Sequence, residues 1–308
     1  MAAKSVDLIQ RWCFFAPMLE WNDYKLLLAL ARAKTIRGAA ALLAVNHGTV
    51  SRRLTYLAGV LQDDLFERTP QGYRPTVLGE TLVDSALKME LASMEAERRS
   101  KALAQDLRGP VKISIPEVFG RYLLLNDLAD LRNEFPEIEL TIEVSYALAN
   151  LDRSEADIAV RGTQAPPDHL VGRRLCQINV AHYCAVGYLE QTPEEDRNWI
   201  VRARDQSVRD WIARSPFPHV PIGMVVNDIG LRHALAAEGL GLALGACFIC
   251  DQIPNMMRLP GSSPFKIEDL WVLTHPDLKK VPRISQIMSF LYDRLSRKFD
   301  LLEGVLSS

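Results

Sequence analysis

The sequence predicts a chain in three parts: an all-α N-terminal winged helix-turn-helix, one long linker helix, and an α/β domain. Three observations carry that expectation. Residues 36–61 hold two amphipathic helices joined by a tight break. Residues 80–108 contain neither Gly nor Pro and keep an apolar stripe. Beyond Gly109-Pro110, apolar strands alternate with helical periodicity for roughly 200 residues, the grammar of an α/β fold. The expected divisions are an extension at 1–19, the winged helix-turn-helix at 20–79, the linker at 80–108 and the α/β domain at 109–300.

The paired helices come first. Ile36, Ala39, Ala40 and Leu43 fall at i, i+3, i+4 and i+7, one face of a helix. Residues 44–46 break the pattern, and Asn46 suits an N-cap. In the second helix Val50, Leu54, Leu57 and Leu61 form the buried stripe. At about 100° per residue, Arg52 lies almost opposite that stripe. Gly48, Thr49, Thr55 and Tyr56 flank Arg52, and His47 sits in the first turn. A helix that enters a major groove needs small residues for close approach and polar ends to read base edges. The plain alternative is an amphipathic hairpin with a solvated face. Asn22 or Asp23 is expected to cap an earlier helix in which Tyr24, Leu27, Leu28 and Ala31 share a face.

The stretch LFERTPQGYRPTVLGE follows, at 65–80. Leu65 and Phe66 are apolar anchors, Pro70-Gln71-Gly72 is a turn, and 73–76 is an extended return, together a small wing. Arg68 and Arg74 flank the turn, where arginine suits a phosphate or a minor groove; a solvated hairpin is the alternative. From 20 to 80 there are eight Lys/Arg against six Asp/Glu, an excess of two, while the whole chain carries −2. A local basic surface is compatible with that balance; a protein basic throughout is excluded.

Along the linker, Leu82, Ala86, Met89, Ala96 and Leu103 form a 4,3-spaced stripe broken by Ser93 and Ser100, widened by Val83, Leu87, Leu91 and Met94. A helix of roughly 28 residues spans about 42 Å. So apolar a helix with no domain of its own calls for a partner helix from a second subunit.

In the α/β part, 111–115 reads as a strand, followed by a helix through Leu128 and Leu131 to Phe135. Further strands are expected at 137–144, 156–160, 180–186, 199–201, 222–226, 241–245 and 270–273. Asn227-Asp228 caps a helix to Glu238, and 282–298 is a closing helix. The pattern suggests one or two parallel-sheet units.

No apolar run reaches membrane-spanning length. The first residues lack a signal-peptide core, because Asp7, Gln10 and Arg11 interrupt it; Met18 is an alternative start. A cytoplasmic protein is expected. Five cysteines, an odd number, fit a reducing compartment. Cys247 and Cys250 have CxxC spacing, but no second pair or nearby histidine accompanies them, so a core role is the plainer reading. His182-Tyr183-Cys184 lies in a strand, and Asp168, His169 and His275 lie in apparent loops. No catalytic constellation or phosphate loop is visible, so no enzymatic activity, cofactor or metal is expected. A solute-binding component and an α/β enzyme are the competing classes; binding to a defined DNA site separates both from a regulator.

Residues 27–80, LLALARAKTIRGAAALLAVNHGTVSRRLTYLAGVLQDDLFERTPQGYRPTVLGE, resemble the winged helix-turn-helix of LysR-type transcriptional regulators. GPVKISIP, LRNEFPEIELTIE, ADIAVR, LVGRRL, VNDIGLRHALAAEGLGLAL and LWVLTHPDLKKVPR are similar to that family's effector-binding domain. The resemblance covers about 20–298. It implies two α/β subdomains hinged by crossover strands, like a periplasmic binding protein. It also implies dimers through the linker helix, commonly assembled into tetramers, on double-stranded promoter DNA with dyad symmetry, modulated by a small-molecule effector. On this reading the DNA-binding set is Arg37, His47, Gly48, Thr49, Ser51, Arg52 and Arg53, with Arg68 and Arg74 on the wing. Three positions depart from the family. Arg37 replaces a small hydroxyl residue, Ala58 stands where Glu is frequent, and Gly245-Ala246 stands where Leu-Pro is frequent, beside the effector cleft.

Ligands of two-subdomain α/β folds lie between the lobes at strand carboxyl ends. Pro116-Glu117 follow the first strand, Arg161, Gly162 and Thr163 follow another, and Asn227-Asp228 open a helix; with Gly245 they are the candidate effector residues. Helix N-termini at Asp228 and near Gly120 favour anions, and Arg161 adds a charge-assisted bond, which points to a carboxylate-bearing effector. The alternatives are an Arg161 pair with Asp157 or Glu117, and a plain cap at 227–228.

Overall fold

A computed structural model describes residues 19–103, 107–146 and 156–305. Most of the expected extension, and the linker at 104–106, lie outside the described residues. The chain divides into two compact units between Glu97 and Arg98.

The first unit is built on α1 (Trp21–Ala33), α2 (Ile36–Leu42) and α3 (His47–Leu61). Helix α1 begins earlier than the sequence suggested. Its N-cap is Glu20, and Asp23 is the reciprocal partner of a capping box, accepting the Glu20 amide at 2.8 Å. Thr35 caps α2 by accepting the Gly38 amide at 3.0 Å. Asn46 caps α3 by accepting the Gly48 amide at 2.8 Å, as its position implied. Leu27, Leu30, Ala39, Val50, Leu57 and Leu65 make the core. Strands β1 (Phe66–Thr69) and β2 (Gly72–Pro75) pair antiparallel as the wing. Gly72 is required there: its φ is +114°, and a Cβ would come within 2.3 Å of the Lys34 carbonyl. That carbonyl accepts the Tyr73 amide at 2.8 Å, which ties the wing to the end of α1.

The long helix, α4, spans Val77–Leu103 and starts three residues before the expected Glu80. Its first turns have a home within the chain, since Leu78, Leu82, Val83 and Ala86 pack inward, Ala86 completely. The stripe beyond them does not: Leu87, Met89 and Leu91 are exposed.

The second unit holds a mixed sheet in the order β4-β3-β5-β11-β6-β9-β7-β8, with β10 also on β6. The strands are β3 (Gly109–Ile115), β4 (Ile138–Val144), β5 (Ile158–Thr163), β6 (Val171–Ala185), β7 (Trp199–Val201), β8 (Ile222–Val225), β9 (Leu242–Ala246), β10 (Met256–Arg258) and β11 (Phe265–Thr274). Gly109 does not stop the linker; it opens β3, opposite Ile138. Pairing is parallel within β4-β3-β5 and β9-β7-β8, and antiparallel where β11 and β6 join them. Strand β6 pairs with β11 up to Val180 and with β9 from Val180 onward, so one strand serves two lobes. The first lobe buries Ile113, Ile115, Ile158 and Val160 beneath α5 (Leu125–Glu134) and the closing helix, Pro282–Ser296. The second buries Trp199, Val201, Val208 and Leu242.

Candidate DNA interface and effector cleft

The exposed face of α3 carries His47, Thr49, Ser51 and Arg52, with Gly48 half-buried beside Asn46. Arg52 Nε donates to the Gly48 carbonyl at 3.3 Å, which holds the stem along the helix. Arg37 on α2 and Arg68 on β1 are exposed. Arg74 on β2 is 3.9 Å from Glu67, both well exposed, a pair worth little. Arg53 stands apart. Nε and Nη2 donate to the two Asp23 oxygens at 2.5 and 2.8 Å, and the guanidinium stacks on Tyr56. Asp23 is 1% exposed. Burial pushes its carboxyl up, but the Arg53 bonds and the Glu20 amide outweigh burial and hold it below the usual carboxylate range. Arg53 therefore neutralises a buried carboxylate, a structural task the sequence reading did not foresee.

A cleft of about 970 Å³ opens between the two lobes of the second unit. Of the eight expected residues, Pro116, Arg161 and Gly162 line it; Glu117, Thr163, Asn227, Asp228 and Gly245 do not. Each absence has a local cause. Glu117 accepts from Arg121 Nε at 2.5 Å, along its own helix. Thr163 donates to the Ala165 carbonyl at 2.9 Å. The Asp228 carboxylate accepts the Leu231 amide at 2.7 Å, so the helix Ile229–Ala237 already holds an anion at its N-terminus, and Asn227 is exposed. Gly245 faces away, because a Cβ there would meet Cys250 Sγ at 2.3 Å.

Arg161, Gly162 and Thr163 lie within β5, not after it. Arg161 is 2% exposed and pairs with neither Asp157 nor Glu117 in a direct ion pair. Its Nη1 donates to the Ser114 and Val160 carbonyls at 2.7 and 2.9 Å, and Nη2 to Ser114 Oγ at 2.7 Å. Burial lowers its pKa to about 10, so it stays charged at neutral pH.

Four further cations face the cleft, Arg202, Arg214, Arg232 and Lys266, against two carboxylates, Asp210 and Glu268. Phe119, Trp211, Phe248 and Phe265 supply apolar walls. His233 is 1% exposed and lines the cleft; burial, then the Arg232 charge, lowers it to about 4, so the ring is neutral. Cys176, Cys184, Cys247 and Cys250 are free and buried, and burial raises every thiol, Cys184 to about 11 and Cys176 to about 12. Thiols held so high are inert packing groups at neutral pH. No helix among the described residues is long and apolar enough to cross a membrane.

A family model described as the LysR substrate binding domain matches residues 104–296. A second, the bacterial regulatory helix-turn-helix protein of the lysR family, matches residues 21–80. The chain belongs to the LysR-type family of transcriptional regulators. Its winged helix-turn-helix binds DNA, and its second domain is the effector-binding domain. The Mau operon transcriptional activator of Paracoccus denitrificans is 29% identical over 293 residues, covering 89% of this chain and 96% of that one. An HTH-type transcriptional regulator of Xanthomonas campestris is 25% identical over 239 residues, covering 72% and 69%. The fold is that of CrgA of Neisseria meningitidis (TM-score 0.53, 19% identity, 91% and 99% covered) and of the Vibrio cholerae virulence activator AphB (TM-score 0.54, 16% identity, 89% and 99% covered).

Several cleft residues of this LysR-type regulator escaped the sequence reading. Arg202 was findable, because it follows β7 as Pro116 follows β3 and the rule of strand carboxyl ends applies to both. Asp210, Trp211 and Arg214 come from the helix Gln206–Ala213 and its C-cap, opened by Asp205, which accepts the Val208 amide at 2.9 Å. Lys266 and Glu268 lie in the half of β11 that carries no apolar run.

Proposed function

We propose that this regulator reads a dyad-symmetric promoter through His47, Gly48, Thr49, Ser51 and Arg52 on α3, with Arg37, Arg68 and Arg74 on phosphates and Arg53 supporting α3 from behind. A small carboxylate-bearing effector seated in the cleft modulates that binding. The observation that carries the effector reading is the excess of cations, five against two carboxylates, on a cleft with aromatic walls. Such a site favours a compact anion with an apolar body. The exposed stripe of α4 serves as the dimer seam, and dimers associate further into tetramers; the functional divisions follow 20–79, 80–108 and 109–300. The protein acts in the cytosol, by binding and not by catalysis.

The test is a thermal-shift screen of small organic acids on the full-length protein, followed by footprinting with any acid that binds. An acid that raises the melting temperature and alters the footprint supports the reading, provided Arg214→Ala weakens the shift and Asn227→Ala, outside the cleft, keeps it. Binding that survives Arg202→Ala, Arg214→Ala and Arg232→Ala together places the effector elsewhere.

A further inference from the structure

We propose that the effector is a zwitterion: Glu268 takes its ammonium group and Arg214 its acid group. The proposal rests on the cleft being the effector site and narrows the ligand class within it. It follows from which charges on the cleft are already committed. Arg202 pairs with Asp205 at 2.9 Å and Lys266 with Asp269 at 2.8 Å. Arg161 is bonded to Ser114 and Val160, and Arg232 Nη1 donates to the Val226 carbonyl at 2.8 Å. Asp210 accepts from Gln206 at 2.7 Å. Glu268 and Arg214 are the two cleft side chains of opposite sign that make no side-chain hydrogen bond or ion pair among the described residues.

Glu268 is half-buried on β11, and its Oε2 lies over Gly162, where a Cβ would come within 2.4 Å of it. Glycine at 162 thus makes room for that carboxylate inside the cleft. A carboxylate taken partly out of water with no partner is costly, and burial alone raises its pKa. Arg214 is exposed, at the end of the helix Gln206–Ala213. Ile178, Val180, Trp211 and Phe265 line the same cleft, a surface for an apolar side chain. An acid group, an ammonium and an apolar body on one small molecule describe an amino acid or a close analogue. A simple organic acid would leave Glu268 desolvated and unpaired.

The experiment uses matched probes on the full-length protein: phenylalanine, leucine and methionine, each with its deaminated acid and its decarboxylated amine. Affinities come from calorimetry. A charge-assisted bond to Glu268 gives at least one amino acid roughly a tenfold advantage over its matched acid. Glu268→Gln should bring that ratio to about one, with the far-ultraviolet circular dichroism of the variant unchanged. Gly162→Ala, which displaces the carboxylate and keeps its charge, should shrink the ratio in the same direction. A ratio near one in the wild type, or one that Glu268→Gln leaves intact, overturns the zwitterion while plain-acid binding preserves the anion reading. If no acid and no amino acid binds, both readings fall.

Discussion

Arg52 and Arg53 are chemically identical neighbours with separate tasks, and substitution should separate them. Arg52 is exposed, so Arg52→Ala should cost roughly 1–3 kcal/mol of specific DNA affinity and leave thermal stability alone. Arg53→Ala strands the Asp23 carboxylate, so it should cost about 1–3 kcal/mol of stability in the first unit, seen in chemical denaturation before any DNA is added. Asp23 is held below its ordinary value, so its contribution is present above the unfolded value and is lost as pH falls through the folded one. The buried histidines act at higher pH. His182 and His233 are both lowered to about 4 by burial. The unfolded chain binds their protons first, so stability is full above pH ~6.5 and falls by up to about 1.4 kcal/mol per pH unit for each histidine down to pH ~4. Denaturation midpoints at pH 7.0 and 5.5 check this, and His182→Gln should reduce the slope. At this scale the sequence was least legible. Residue types flagged Arg53 and Arg161 as cations near a ligand, but whether a cation is already spent depends on Asp23 and Ser114, which the fold delivers from 30 and 47 positions away.

Elements were read more securely, and for a physical reason. Helices α2 and α3 and the wing follow from local signals: a 3.6-residue period, an Asn46 cap, and a turn that needs Gly72. The sequence reading starts β6 only at 180, because 172–174 are all exposed and show no alternation, although Cys176, Ile178 and Val180 do alternate with Gln177 and Asn179. Its opening residues are held by pairing with β11, a partner nearly a hundred positions away. The linker helix was legible as a helix but not in its packing, since the first turns serve the winged-helix core. That division sharpens the assembly test. Leu87→Glu with Leu91→Glu, both on the exposed stretch, should leave the first unit folded and convert the protein to a slower-sedimenting monomer. A wild-type monomer at micromolar concentration in analytical ultracentrifugation would remove the seam.

At the scale of the whole molecule, the alternation of strands and helices suggests one or two parallel-sheet units; the two-lobed plan follows only from the family resemblance, and the mixed pairing from neither. The antiparallel joints arise where β6 and β11 cross between lobes, and crossing strands look in sequence like any others. Their arrangement has a consequence for how the protein is made. The second lobe is continuous in sequence from the far half of β6 through β10, and its core closes within that stretch. The first lobe is discontinuous: β3, β4 and β5 leave the ribosome early, but β11 and the helix Pro282–Ser296 that cover them come last. Domains fold as synthesis proceeds, at about 5–20 residues per second. The first lobe must therefore wait roughly 5–20 s, about a hundred residues of synthesis, between the emergence of β5 and the arrival of β11. During that interval the edge of β5 that β11 later covers is open, an unpaired template of the kind that invites aggregation. Nascent chains stalled so that residue 260 has just cleared the exit tunnel should therefore be protease-resistant in the second lobe and cleavable in the first. Full resistance should arrive only after the closing helix has cleared the exit tunnel.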